Sequence, residues 1–180
     1  MQNPALKNGR YNDYHQRQSP HAEPMLEPVS LLVIHNISLP AGQFLTPFVD
    51  DLFMGCIDCT AHESFMDLQG LKVAAHFFIN REGRVTQYVG IDQVAWHAGL
   101  SSFNGREGCN AFSLGVEMEG CDDVPYEDLQ YTALIQLTKR LFTDCPMLTK
   151  ERIQGHSDIA PGRKTDPGQA FDWQRYLSAL

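Results

Sequence analysis

The densest chemistry in this 180-residue chain lies between Gly155 and Gly168: Gly-His-Ser-Asp-Ile-Ala-Pro-Gly-Arg-Lys-Thr-Asp-Pro-Gly. The stretch offers an imidazole at His156, carboxylates at Asp158 and Asp166, and an amine at Lys164. Pro161-Gly162 and Pro167-Gly168 keep it from being a helix or a long strand. A loop this rich in titratable groups is either a solvated turn or a site, and loops carry chemistry out of proportion to their length.

Two further groups stand on apolar runs. His35-Asn36 follows Ser30–Ile34, a buried-strand pattern, so His35 is placed at a strand end. That position suits either a hydrogen-bonded histidine or a ligand, since open α/β sheets bind at their carboxyl edge. Glu117 falls within or at the end of Ser113–Met118, which reads as a central strand. A carboxylate there is costly unless paired, hydrogen-bonded or near a metal, which favours a functional role. His35, His156 and Asp166, drawn from separate elements, make a three-ligand zinc site with a fourth position open, the catalytic pattern. Glu117 then takes the proton from metal-activated water, whose pKa zinc brings to about 7. Lys164 shares a face with Asp166 if the loop is extended, and its ammonium can hold an oxyanion. Together these groups describe hydrolysis of an amide, with one carboxylate acting first as base and then as acid.

Other candidates read less sharply. Cys56-Ile-Asp-Cys59, with His62 nearby, invites a zinc or redox reading, but no second cysteine pair stands at ligand spacing and ordinary thiols are expected. His76 reads as a satisfied core or cleft histidine. Trp96 and His97, beside Gly99, can line a groove, although a tryptophan most often simply packs.

The elements that must position these groups follow from pattern. Residues 1–29 are polar and Pro-containing, an extended arm on a single 180-residue domain. Thr46 and Pro47 predict a short helix over Pro47–Met54, with Thr46 as its cap. Val73–Ile79 and Val85–Val89 flank Asn80-Arg-Glu-Gly83 as a hairpin. Tyr126–Asp144 carries an i, i+4 stripe of Leu129, Ala133, Leu137 and Leu141, stopped by Pro146. Arg152–Gly155 is a short strand and Asp172–Leu180 a terminal helix. The sum is an α/β (α+β) fold with a central mixed β-sheet of about five strands flanked by helices.

Composition bounds the partners. The net charge of -8 disfavours a nucleic-acid binder. No apolar run approaches the ~18 residues of a membrane span, and no signal peptide is apparent, so a cytoplasmic location is expected. The odd count of five cysteines agrees. We expect a monomer acting on a small ligand.

Five segments then carry a resemblance: Leu-Leu-Val-Ile-His35-Asn-Ile-Ser-Leu-Pro, Ala-Trp-His-Ala-Gly99, Gly105-Arg-Glu-Gly-Cys-Asn110, Phe-Ser-Leu-Gly-Val-Glu117-Met-Glu-Gly and the Gly155–Gly168 loop. They resemble the zinc-dependent N-acetylmuramoyl-L-alanine amidases, most of all the cytoplasmic enzymes that act on 1,6-anhydromuropeptides in cell-wall recycling. The resemblance implies the fold of peptidoglycan-recognition proteins and one zinc ion on His35, His156 and Asp166. It also implies Glu117 and Lys164 as catalytic groups and a muropeptide substrate cut at the lactyl-L-alanine amide. Asn36, Lys72, His76, Trp96 and Arg106 are implied as substrate-binding. The family pattern has arginine where Lys72 and Gly108 stand, and arginine clamps carboxylates in a bidentate way that lysine does not. Two rivals stand beside this reading. An extracytoplasmic amidase on intact peptidoglycan would share the metal site. A non-catalytic peptidoglycan-binding module is disfavoured by the full set of His35, His156, Asp166, Glu117 and Lys164, since the resemblance implies that such modules lack part of it.

Overall fold

The computed structural model describes residues 6–180, so the first five residues of the predicted arm lie outside the described residues. A six-stranded mixed sheet forms the centre. Its strands are β1 (His15–Gln16), β2 (Leu31–Ile37), β3 (Phe77–Ile79), β4 (Val85–Gln87), β5 (Ser113–Glu119) and β6 (Ile153–Gly155). Across the sheet they lie in the order β6-β2-β5-β3-β4-β1. Every pairing is parallel except the β3–β4 hairpin. The strand beyond the expected five is β1, which the polar arm lends to the sheet edge through His15 and Gln16 against Thr86 and Gln87.

β5 is buried at all seven positions, as a strand covered on both faces must be. It pairs residue for residue with β2, from Ser113 against Leu31 to Glu119 against Ile37. This pairing corrects the expected end of β2. The strand does not stop at Ile34 but runs on through His35 and Asn36, because β5 offers partners that far. His35 therefore sits inside β2, in register with Glu117.

Alternate residues serve opposite faces. Leu32 and Ile34 of β2 and Leu114, Val116 and Met118 of β5 join the main core. That core is closed by helix α2, Asp128–Asp144, through Leu134, Leu137 and Leu141, all fully buried. Each such side chain contributes on the order of 1.5–3 kcal/mol. The odd-numbered Leu31 and Val33 pack on the other side with Ala98, Cys109, Phe112 and Ile159.

Several predicted elements shift. The helix after Thr46 is α1, Phe48–Phe53, with Pro47 at the cap position; Thr46 is not its cap but donates its hydroxyl to the Leu39 carbonyl at 2.6 Å. α2 starts at Asp128, because Glu127 and Gln130 form a reciprocal capping box. Leu129 is 60% exposed and leaves the predicted stripe, which holds from Ala133 onward. The buried place is taken by Gln130, whose amide donates to the carbonyls of Ile79 (3.2 Å) and Glu119 (3.0 Å). Val73–His76 is not strand, although the His76 N–H still bonds the Gly115 carbonyl at 3.1 Å. The hairpin turn is as expected: the Asn80 side-chain oxygen accepts from the N–H groups of Glu82 and Arg84, and Gly83 supplies the left-handed φ of 76°. The loop after β6 opens with one helical turn, α3 (His156–Ile159), before Pro161 ends it. A terminal helix, α4 (Trp173–Ser178), is capped by Asp172. Among the described residues no helix is long and apolar enough to cross a membrane.

Candidate metal centre and cleft

The core on one face of β2 and β5 fixes the direction of the residues on the other. Leu32 and Ile34 point into the main core, so His35 points away from it, and Glu117 follows on β5 in the same register. β6 delivers His156 at the first position of α3, where the Asp158 carboxylate accepts the Gly155 N–H at 2.8 Å and fixes the turn. The loop then doubles back: the Ser157 N–H bonds the Asp166 carbonyl at 3.0 Å, which brings the Asp166 side chain over His156.

The result is a triangle of ligand atoms. His35 Nδ1, His156 Nδ1 and Asp166 Oδ2 lie 3.0 Å from one another on each edge. Among the described residues this is the one group of three or more metal-capable side chains whose ligand atoms converge. Its chemistry calls for a cation. His156 Nε2 lies 3.0 Å from the Ala98 carbonyl, which can only accept, and 3.3 Å from Arg163 Nη2, which can only donate; the shorter contact favours a proton on Nε2, and that tautomer leaves Nδ1 bare. That bare nitrogen and the Asp166 carboxylate both face His35 Nδ1. The edges also approach the ~3.3 Å expected between ligands held about 2.0–2.1 Å from a tetrahedral zinc. Burial pushes His35 down to about 4 despite its hydrogen bond to Asp166, so the imidazole is neutral near pH 7. Burial opposes the charge on Asp166, but the neighbouring His156 and His35 imidazoles, each 3.0 Å away, outweigh it and hold the carboxylate well below its usual range.

Glu117 completes the group differently. It is 9% exposed, and its Oε2 is buried without a hydrogen-bond partner. Burial, and then the Asp166 charge, raise its carboxyl well above the usual range, with Lys164 opposing. Lys164 itself lies on the exposed loop yet lines the same cleft, a cavity of about 270 Å³ that also meets His156, Asp166 and Glu117. Leu71, Val73 and Trp96 make its apolar wall, with Trp96 44% exposed.

The remaining predicted site residues divide. Asn36 lines the cleft, and its amide donates to Asp122 (2.9 Å) and to the Pro167 carbonyl (3.0 Å), tying β2 to the loop that carries Asp166. His76 is fully buried outside the cleft lining: its Nε2 donates to the Gln93 carbonyl and its Nδ1 accepts the Gly115 N–H. Lys72 lines a separate cavity of about 470 Å³ with His21 and Cys59. Arg106 is exposed, paired with Glu27 and stacked 3.9 Å over the Phe112 ring. Cys56 and Cys59 are unpaired thiols. His97, expected only as a groove-lining residue, does line the cleft, and its Nδ1 also lies 2.9 Å from His35 Nε2, a contact that sequence reasoning did not foresee. The signal was Gly115: a Cβ there would stand 2.5 Å from the His97 ring, so only glycine leaves room for it.

Residues 25–169 match the family described as N-acetylmuramoyl-L-alanine amidase. The chain belongs to this family. It is therefore an enzyme, an amidase with a mixed α/β fold. It is 49% identical over 177 residues to the 1,6-anhydro-N-acetylmuramyl-L-alanine amidase AmpD of Haemophilus influenzae, covering 97% of this chain and 96% of that protein. Superposed on a crystal structure of a selenomethionine AmpD derivative, the amidase gives a TM-score of 0.94 at 46% identity, over 97% of this chain and 98% of that one. AmpDh3 of Pseudomonas aeruginosa, solved in complex with anhydromuramic pentapeptide, aligns at a TM-score of 0.64 and 27% identity over 94% of this chain and 65% of that one. The Drosophila peptidoglycan recognition protein SD shares the fold at 18% identity and a TM-score of 0.60, covering 86% and 83% of the two chains.

Proposed function

We propose that this amidase hydrolyses the amide between the lactyl group of 1,6-anhydro-N-acetylmuramic acid and L-alanine, in the cytoplasm, as a monomeric step of peptidoglycan recycling. The reading rests on the triangle of His35, His156 and Asp166 beside an unpartnered Glu117. The likeness to AmpD supports the anhydro substrate. We further assign one zinc ion to His35, His156 and Asp166. When bound, zinc supplies a Lewis acid that polarises the scissile carbonyl and acidifies water.

The chain's own groups carry the proton and the charge. Glu117, which lines the cleft and whose Oε2 has no hydrogen-bond partner, takes the proton from the attacking water and returns it to the leaving L-alanine nitrogen. Its raised affinity for a proton suits the second, acid half of that cycle. Lys164 offers an ammonium to the oxygen that becomes negative. The apolar wall of Leu71, Val73 and Trp96 accepts the lactyl and alanyl methyl groups and excludes water. Asn36 orients the peptide side of the bond. The placement of Lys72, His76 and Arg106 outside this cleft gives them, in this reading, no contact with the scissile amide.

The test is zinc quantification on purified protein together with mass spectrometry of products from an anhydromuropeptide and from insoluble murein. One zinc per chain and release of the L-alanyl peptide from the soluble substrate are expected. Preference for murein would replace the recycling role, and absence of any hydrolysis in zinc-loaded protein would remove the catalytic one.

A further inference from the structure

His35 does not stand alone behind the cleft. Its outer nitrogen, Nε2, is 2.9 Å from His97 Nδ1, and His97 Nε2 is 3.2 Å from the Ser113 hydroxyl. His97 is wedged on Gly115, whose missing side chain makes its space, and packs edge-on against both His35 and His76 with ring centroids 5.0 and 5.7 Å apart. The backbone holds it too: Asn110 Oδ1 accepts the N–H groups of His97 (3.2 Å) and Ala98 (2.8 Å).

The proton count of this row has two solutions. In the first, His35 carries its proton on Nδ1 and aims it at Asp166. His97 then donates from Nδ1 to His35, and the Ser113 hydroxyl donates to His97. In the second, every bond is reversed: His35 donates from Nε2 to His97, and His97 donates from Nε2 to Ser113. A hydroxyl can end the row in either state, because it both donates and accepts. Only the second state leaves His35 Nδ1 bare toward His156 and Asp166, as a metal ligand requires.

We propose that His97, backed by Ser113, is a positioning residue of this amidase: it takes the outer proton of His35 and so sets the tautomer in which His35 can bind a metal ion. Outer partners of ligating histidines are commonly carboxylates or carbonyls. A neutral imidazole backed by a hydroxyl does the same work without burying a charge, and it can reverse when the metal leaves. The inference rests on the zinc assignment to His35, His156 and Asp166.

The experiment compares zinc affinity, by chelator competition, in the wild type and in the His97→Leu and His97→Asn chains. The two variants have nearly the same shape, but only asparagine keeps an acceptor near the Nδ1 position. Loss of affinity by about 10–100-fold for His97→Leu is expected, with substantial recovery in His97→Asn. The visible spectrum of the cobalt-substituted protein should shift for leucine and return toward wild type for asparagine. Wild-type affinity in His97→Leu, or equal losses in both, would overturn the proposal, the second result because it would trace the effect to ring volume. If His97→Leu does not fold, Ser113→Ala decides: weakened zinc binding supports the row, unchanged binding overturns it. Independently, long-range nitrogen–proton NMR on the zinc-loaded wild type should find the His97 proton on Nε2; a proton on Nδ1 would sink the proposal. A wild type that binds no zinc at all refutes the metal assignment instead, and is told apart by that result.

Discussion

The two faces of β2 and β5 are built from the same two strands and obey opposite rules. On one face Leu32, Ile34, Leu114, Val116 and Met118 meet α2 in the main apolar core, where the buried polar side chains of α2, Gln130 and Thr138, are hydrogen-bonded. On the other, the odd-numbered positions begin as Leu31 and Val33 and turn polar at His35, while on β5 they read Ser113, Gly115 and Glu117. The first face is closed mainly by volume, and its few buried polar side chains all have partners. The second is closed by hydrogen bonds, and it is left incomplete at two points: the facing ligand atoms of His35, His156 and Asp166, and Glu117 Oε2. Incompleteness is costly in a buried setting, and it is on these two points that the proposed metal site and catalytic carboxylate rest. A mutation should thus harm stability on one face and chemistry on the other.

The largest effect expected is at Asp166. Asp166→Ala removes one corner of the triangle and should abolish stoichiometric zinc, with kcat/KM falling more than ~10³-fold, about 4 kcal/mol. Metal analysis and steady-state kinetics check both, and retained zinc would break the assignment. Glu117→Ala should keep zinc yet lose ~10²–10⁴-fold in kcat, as for a general base. Its thermal stability should not fall, since the change deletes a buried carboxylate oxygen without a partner. Near-normal turnover there would remove Glu117 from the chemistry.

On the other face, Leu137→Ala should destabilise by roughly 2–5 kcal/mol in urea unfolding and leave zinc content and KM unchanged. Coupled losses of zinc and stability would show that the two faces are not independent.

The smallest and most gradual effect is on acid stability of the metal-free protein. Burial pushes His35 and His76 down to about 4, against ~6.5 in an unfolded chain. The unfolded state therefore takes up protons first as pH falls. Stability should drop between about pH 6.5 and pH 4, by up to ~3 kcal/mol for each histidine, and be indifferent to them above that window. Asp166, held low, adds its own loss below about pH 4. A urea midpoint that stays flat from pH 7 to pH 4 would contradict the buried, neutral histidines.

Much of this was legible in one dimension. The apolar runs around Leu32 and Val116, the turn at Asn80–Gly83 and the stripe from Ala133 to Leu141 are local patterns, and local patterns dictate local structure because side-chain periodicity decides which face is buried. The residue types of the Gly155–Gly168 loop, with His35 and Glu117, were likewise enough to name an amide-hydrolysing constellation, and the family resemblance sharpened its substrate. The boundaries were not legible. β2 outruns its apolar stretch because β5 pairs with it, α2 starts at Asp128 because Glu127 and Gln130 cap each other, and Leu129 turns outward as a consequence.

What only the tertiary structure decided is which polar groups meet. His35 touches His156 and Asp166 across 121 and 131 residues of chain, and no spacing rule encodes such a contact. The same holds for His97, placed behind His35 by a glycine on a third element, and for Lys72, His76 and Arg106, set apart from the cleft by the packing around them. Sequence determined which groups were available and which way each strand faces, because those depend on neighbours one turn or one pleat away. Folding decided partners, burial and the positions of protons, because these depend on the distances between elements that the core brings together.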